Sequence, residues 1–207
     1  MVATTELIKK ERVQKTYTLD DYLKREAKSA DKHEFYNGQI IKMPNAKFYH
    51  NLTSNNIATS IKIAVKQLSK KYLVVGDGQK VYIEPENVSV YPDGLVICEA
   101  PIYYDNQEYL ITNPLLVVEV LSRSTQSYDR NGKFDLYTNL PSFHEYVLID
   151  PRKFHVETWF REESDLWRIR KERDPSKSIL LRSIGVSISL EDIYEDVVFP
   201  TKSKSTR

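Results

Sequence analysis

Glu119 is the residue whose setting most demands a chemical explanation. It lies inside Leu115-Leu116-Val117-Val118-Glu119-Val120-Leu121, a continuous apolar run of the kind that forms a strand buried on both faces. A carboxylate there is costly unless it is paired or bound to a metal. Asp93 follows Pro92 at the start of the preceding strand candidate, where a neighbouring strand could bring its carboxylate beside that of Glu119. Two close carboxylates repel each other and attract a divalent cation. Oxygen donors in a chain with few histidines favour Mg²⁺ or Mn²⁺ over zinc, and the backbone carbonyl of Val120 could add a third ligand. Such a metal would activate water and offset charge on a phosphate. Each residue also has a simpler reading. Tyr91-Pro92-Asp93-Gly94 could be an ordinary turn, and Glu119 could be buried against a lysine or arginine. The pair is more specific than either member.

The elements that would position these groups follow from pattern and punctuation. Thr18-Leu19-Asp20-Asp21 resembles a capping box opening a short helix through Glu26, and Asn37-Gly38 predicts a hairpin over Glu34 to Met43. Ile57, Ile61, Ala64, Val65 and Leu68 keep helical spacing within a long helix from about Tyr49 to Lys70. Four β-rich stretches follow, Leu73 to Val75, Val81 to Ile83, Gly94 to Cys98 and Leu115 to Leu121, expected as neighbours in one sheet. A helix from Gln126 to Asn139 then leads to a strand at Glu145 to Ile149, an order that implies a right-handed parallel crossover. Val156 to Arg161 and Leu166 to Lys171 alternate like an amphipathic hairpin.

Composition narrows the setting. A chain of 207 residues, 41% hydrophobic, suits one core, so a single domain is expected over 17–200 between a charged lead (1–16) and a frayed tail (201–207). The 30 basic and 29 acidic residues nearly cancel, which excludes a global field drawing the protein to nucleic acid or anionic membrane. Cys98 is the only cysteine, too few for a disulfide or a cysteine-rich zinc site, and no apolar run could span a bilayer. A cytoplasmic address with no membrane partner is the expectation, and self-association into a homo-oligomer stays open.

Tyr91-Pro92-Asp93, Leu116-Val117-Val118-Glu119-Val120-Leu121-Ser122, Asp129, Lys133, Tyr137 and Glu145-Tyr146-Val147-Leu148-Ile149-Asp150-Pro151 stand in this order. Together they resemble the Uma-type family, described as restriction endonucleases, over about Thr18 to Phe160. The resemblance implies an α/β (α+β) restriction-endonuclease-like core of the PD-(D/E)XK type. In that core a mixed central sheet is flanked by helices, and a divalent metal sits between Asp93 and Glu119. It also implies DNA as partner, although fold does not by itself establish activity. One departure matters. The general pattern places a catalytic lysine two residues after the glutamate, where this chain has Leu121. Lys133 is the candidate replacement, because on a helix Asp129, Lys133 and Tyr137 fall at i, i+4 and i+8 on one stripe. The competing reading is a surface pair between Asp129 and Lys133 worth little.

Glu34 resembles the family's amino-terminal acidic position and could add a metal ligand, or it could be exposed in a charged loop. His50 shares the stripe of Ile57 and Ile61 and should face inward, whether packed or near a phosphate. Lys80 could project towards the same cleft or into solvent. Lys62, Lys66 and Lys70, with Lys71, form the densest basic cluster and are candidates for DNA contact, as is Tyr103-Tyr104. A solvated helix face and an ordinary aromatic loop explain both equally simply. Two functions are therefore expected in competition. One is a Mg²⁺-dependent endonuclease using Asp93, Glu119 and Lys133, and the other a catalytically inactive binding or assembly module on the same fold.

Overall fold

The computed structural model describes residues 15–200, so most of the expected charged lead and all of the expected tail lie outside the described residues. Helix α1 (Leu19–Glu26) opens with the expected box: Asp21 N–H donates to Thr18 Oγ1 and Thr18 N–H donates to Asp21 Oδ2, both at 3.1 Å. Strands β1 (His33–Tyr36) and β2 (Gln39–Lys42) form the expected hairpin. Asn37 and Gly38 both take positive φ, 42° and 94°, as a tight two-residue hairpin turn requires.

Helix α2 (Phe48–Val65) buries Ile57, Ile61 and Val65 and ends five residues short of the expected Lys70. It is followed by β3 (Tyr72–Gly76), β4 (Lys80–Ile83), β5 (Val88–Val90), β6 (Gly94–Cys98), β7 (Leu110–Ile111) and β8 (Leu116–Val120). Next come β9 (Glu145–Ile149), β10 (Val156–Arg161), β11 (Trp167–Glu172), β12 (Ser178–Leu181), β13 (Val186–Ser189) and a last short helix at Leu190–Ile193. The principal sheet has the order β11-β10-β9-β8-β6-β3; β8 and β9 run parallel and its other neighbours antiparallel. A second sheet, β2-β1-β5-β4-β7, corrects the expectation that Val81 to Ile83 neighbours the other three stretches. Its hydrogen bonds go to β5 and β7 instead, because the short Glu84–Glu86 turn and Asn87 at φ 52° fold β5 back onto β4.

The crossover from β8 to β9 also departs from expectation. Instead of one regular helix, α3 (Gln126–Tyr128) passes through a π-helical turn, Asp129–Lys133, into α4 (Phe134–Thr138). Strand alternation then divides the core. Leu116, Val118 and Val120 face α2 with Val147 and Ile149, whereas Val117 and Leu121 pack with Tyr137, Phe143, Tyr146 and Leu148 on the other side. Glu119 shares the parity of Val117 and Leu121 and so points towards the π-turn crossover.

Candidate active site

The β6–β8 register pairs Leu95 with Val117 and Gly94 with Val118, so one step further Asp93 stands across from Glu119 on the same face. Asp93 is fixed there by its surroundings: Val120 N–H donates to its Oδ2 at 2.7 Å, and Ser54 of α2 donates to its backbone carbonyl at 2.8 Å. His50, one turn earlier on α2, brings Nε2 to 3.4 Å from Asp93 Oδ2, while its buried Nδ1 has no partner. Burial pulls the His50 pKa down, yet Asp93, Asn51 and the Val120 backbone outweigh it, and the imidazole ends above its ordinary value.

Glu119 is buried and is met by two groups from the crossover. Lys133 Nζ donates to Glu119 Oε1 at 3.1 Å, and the Tyr137 hydroxyl donates to the same oxygen at 3.2 Å. The Lys133 ammonium also lies 3.3 Å from Glu34 Oε1 and 4.0 Å from Asp129 Oδ1. Burial pushes the Glu119 carboxyl well above the usual carboxylate range, with Lys133 opposing and Asp93, Asp129 and Glu34 reinforcing. Asp129 is raised by burial in the same way. For Lys133 burial acts downward, but the surrounding carboxylates prevail and hold the ammonium charged. Tyr137 is pushed far up by burial and by Glu119, and so acts only as a neutral donor.

The expected residues Asp93, Glu119, Lys133, His50, Asp129, Tyr137 and Glu34 thus lie around one cleft. Glu34, however, is engaged on both oxygens: Tyr36 donates to Oε2 at 2.5 Å, and Tyr91 N–H and Lys133 meet Oε1. It is placed as a holder of Lys133. Tyr36, Tyr91, Ser54 and Tyr146, whose hydroxyl donates to the Asp129 carbonyl at 2.9 Å, were not foreseen. Tyr36 comes from β1, Tyr91 from the segment just after β5, Ser54 from α2 and Tyr146 from β9, and no local motif announces such contacts.

Other candidates lie elsewhere. Lys80 is not in this cleft but in an adjoining groove, with Nζ 5.2 Å from the Tyr91 ring centroid and 5.3 Å from that of Tyr109. Lys62, Lys66 and Lys70 are exposed at or beyond the far end of α2. Twelve residues of helix separate His50 from Lys62, about 18 Å along the axis. Tyr104 packs against Tyr82 at 4.5 Å between centroids rather than lining the cleft.

The donor set suits a hard divalent cation. Four carboxylates face a single lysine ammonium in a mostly buried space, so negative charge is in excess. Among the described residues no three or more Asp, Glu, His or Cys side chains converge as a complete metal cage. That is compatible with Mg²⁺, which commonly takes one or two carboxylates and keeps several waters. Asp93, Glu119 and the Val120 carbonyl are the groups that would hold it.

Known proteins give this geometry its context. Two uncharacterized proteins of Synechocystis sp. are similar: one is 32% identical over 167 residues, covering 81% of this chain and 88% of its own length. The other is 31% identical over 181 residues, covering 87% and 92%. A crystal structure from Anabaena variabilis, described as that of "a putative nuclease belonging to DUF820", superposes with a TM-score of 0.68 at 18% identity. The match covers 86% of this chain and 97% of that one, which shows a shared mixed α+β fold. The Uma2 sequence model, described as "Putative restriction endonuclease", matches residues 19–191, so the chain belongs to the Uma2 family.

Proposed function

We propose that this protein hydrolyses DNA phosphodiester bonds with Mg²⁺ or Mn²⁺ as its cofactor. The observation that carries the reading is the delivery of Lys133, 14 residues along the chain, to within 3.1 Å of Glu119 Oε1. This contact supports Lys133 as the substitute for the lysine that Leu121 displaces from the usual position. When bound, the metal would lower the pKa of a water and draw charge from the phosphate. Asp93 and Glu119 are the carboxylates that would hold it. Tyr137 orients Glu119, and Val120 N–H and His50 orient Asp93. Lys133, kept charged by its carboxylate neighbours, would steady the attacking water and take up charge on the phosphoryl oxygens. The test is incubation of purified protein with plasmid and single-stranded circular DNA in Mg²⁺, Mn²⁺ or chelator. Cleavage should require metal and be lost in Glu119→Gln, whose melting temperature should be spared or raised, because the amide removes one negative charge from a cluster in which the carboxylates outnumber the single Lys133 ammonium. No cleavage of either DNA with either metal would leave the binding or assembly module as the function.

A further inference from the structure

Beside the cleft lies a groove of about 330 Å³, within the roughly 300–1,000 Å³ of small-ligand sites. The α1–β1 connection, Lys80, Tyr91 and Tyr109 line it. Lys80 stands one residue beyond the Val81–Val90 pair, next to Tyr91, and its ammonium lies between the Tyr91 and Tyr109 rings. On the other side Lys32 Nζ is 5.4 Å from the Tyr91 centroid. The acidic groups nearby are already engaged. Glu26 accepts from His33 and Tyr91, Asp31 is paired with Lys42 at 2.6 Å, and Asp77 with Lys32 at 2.6 Å. Among the described residues Lys80 alone of these cations has no carboxylate within 4.0 Å. Burial pulls its pKa down, with Glu26 opposing and Lys32 adding to the fall. Tyr109, whose ring carries the Lys80 ammonium at 5.3 Å from its centroid, is 49% exposed beside it.

We propose that this groove binds one unpaired nucleotide of a DNA strand, its phosphate on Lys80 and its base on Tyr109. The proposal rests on reading the cleft as a phosphodiesterase site, because the two share a wall. The Tyr91 ring forms the groove, while its N–H holds Glu34, the partner of Lys133. Stacking on an aromatic face tolerates any base, and a lysine reads only phosphate, so the subsite grips a strand without selecting its sequence.

Binding is measured by fluorescence anisotropy in chelator, where no hydrolysis occurs, using a labelled oligothymidylate, a base-free deoxyribose-phosphate strand and a duplex. Wild type should prefer the thymidylate strand to both others. Tyr109→Ala should weaken the thymidylate strand about tenfold and leave the base-free strand unchanged, whereas Tyr109→Phe should bind as wild type. Lys80→Gln should weaken both single strands and lessen their salt dependence. Wild-type affinity in Tyr109→Ala or Lys80→Gln, no preference for a strand with bases, or tighter duplex binding would overturn the groove. Metal-dependent cleavage with unchanged binding in these variants sinks the groove and leaves hydrolysis standing. Loss of binding in them without any wild-type cleavage does the reverse.

Discussion

At Lys133 two demands meet, because the ammonium that would act on a phosphate is also the counter-charge for three buried carboxylates. Removing it leaves Glu119, Glu34 and Asp129 uncompensated. Breaking a buried pair from one side costs about 3–5 kcal/mol, far more than losing an exposed one. Lys133→Ala should therefore lower stability by about that amount in urea unfolding without metal. It should also lower cleavage at least about a hundredfold, the scale of one lost electrostatic donor. Lys133→Arg should keep most of the stability and recover activity only in part, since a planar guanidinium does not reproduce a compact ammonium. An alanine variant that unfolds and cleaves like wild type would leave Lys133 with no part in stability or catalysis.

At the scale of elements, the π turn sets the aim of Lys133. Gly132 lies beneath Tyr128: a Cβ there would fall onto Tyr128 Cε2 and within 2.6 Å of its Cδ2. Gly132→Ala should thus destabilise the wild type by about 1–3 kcal/mol through overpacking. In a Tyr128→Ala background the same change should stabilise by about 1 kcal/mol through helix propensity. Equal effects in both backgrounds would show that the ring does not constrain the turn. This turn also marks where sequence reading stops. The apolar run around Glu119, the Asn37-Gly38 hairpin and the stripe Asp129, Lys133, Tyr137 are local patterns, and all are visible in the chain. At the start of the π turn the Tyr146 hydroxyl reaches the Asp129 carbonyl from β9, a contact 17 residues apart with no periodic signature. The second sheet was illegible for a similar reason: β4 and β6 have the same apolar character, and only long-range pairing decides which sheet each joins. Strands β12 and β13 were missed as well, with burial pattern alternating over just four residues each.

Across the whole molecule, charge is balanced in number but not in place, and this bears on acid stability and on the proposed DNA binding. Glu157, buried on β10, is pushed upward by burial, but His155, Arg130 and Trp159 outweigh it and hold its carboxyl below the ordinary 4.5. A depressed folded pKa gives stability that is present above the unfolded value and lost as pH falls through the folded one. Glu157→Gln should lower the melting temperature at neutral pH and flatten its decline below about pH 4.5. Parallel melting curves for the two proteins would exclude that role. The proposed DNA binding would follow from the same uneven placement. The 30 basic and 29 acidic residues leave no net field, so phosphates must be met by the few cations near the cleft and groove. Each phosphate neutralised contributes a slope of about −0.7 to −0.9 in log affinity against log salt. With two or three such contacts at Lys133, Lys80 and Lys32, binding should be moderate, with a slope of roughly −1.5 to −2.7. Lys62, Lys66 and Lys70 lie at or beyond the opposite end of α2 from His50, with Lys62 about 18 Å from it along the axis, so a strand gripped only at the cleft and groove would not use them. Replacing all three with Gln should leave both affinity and slope unchanged in a potassium chloride titration. A slope smaller in magnitude by about 2 to 3 in the triple variant would show instead that DNA runs along the whole helix, and that the cleft grips only part of its ligand.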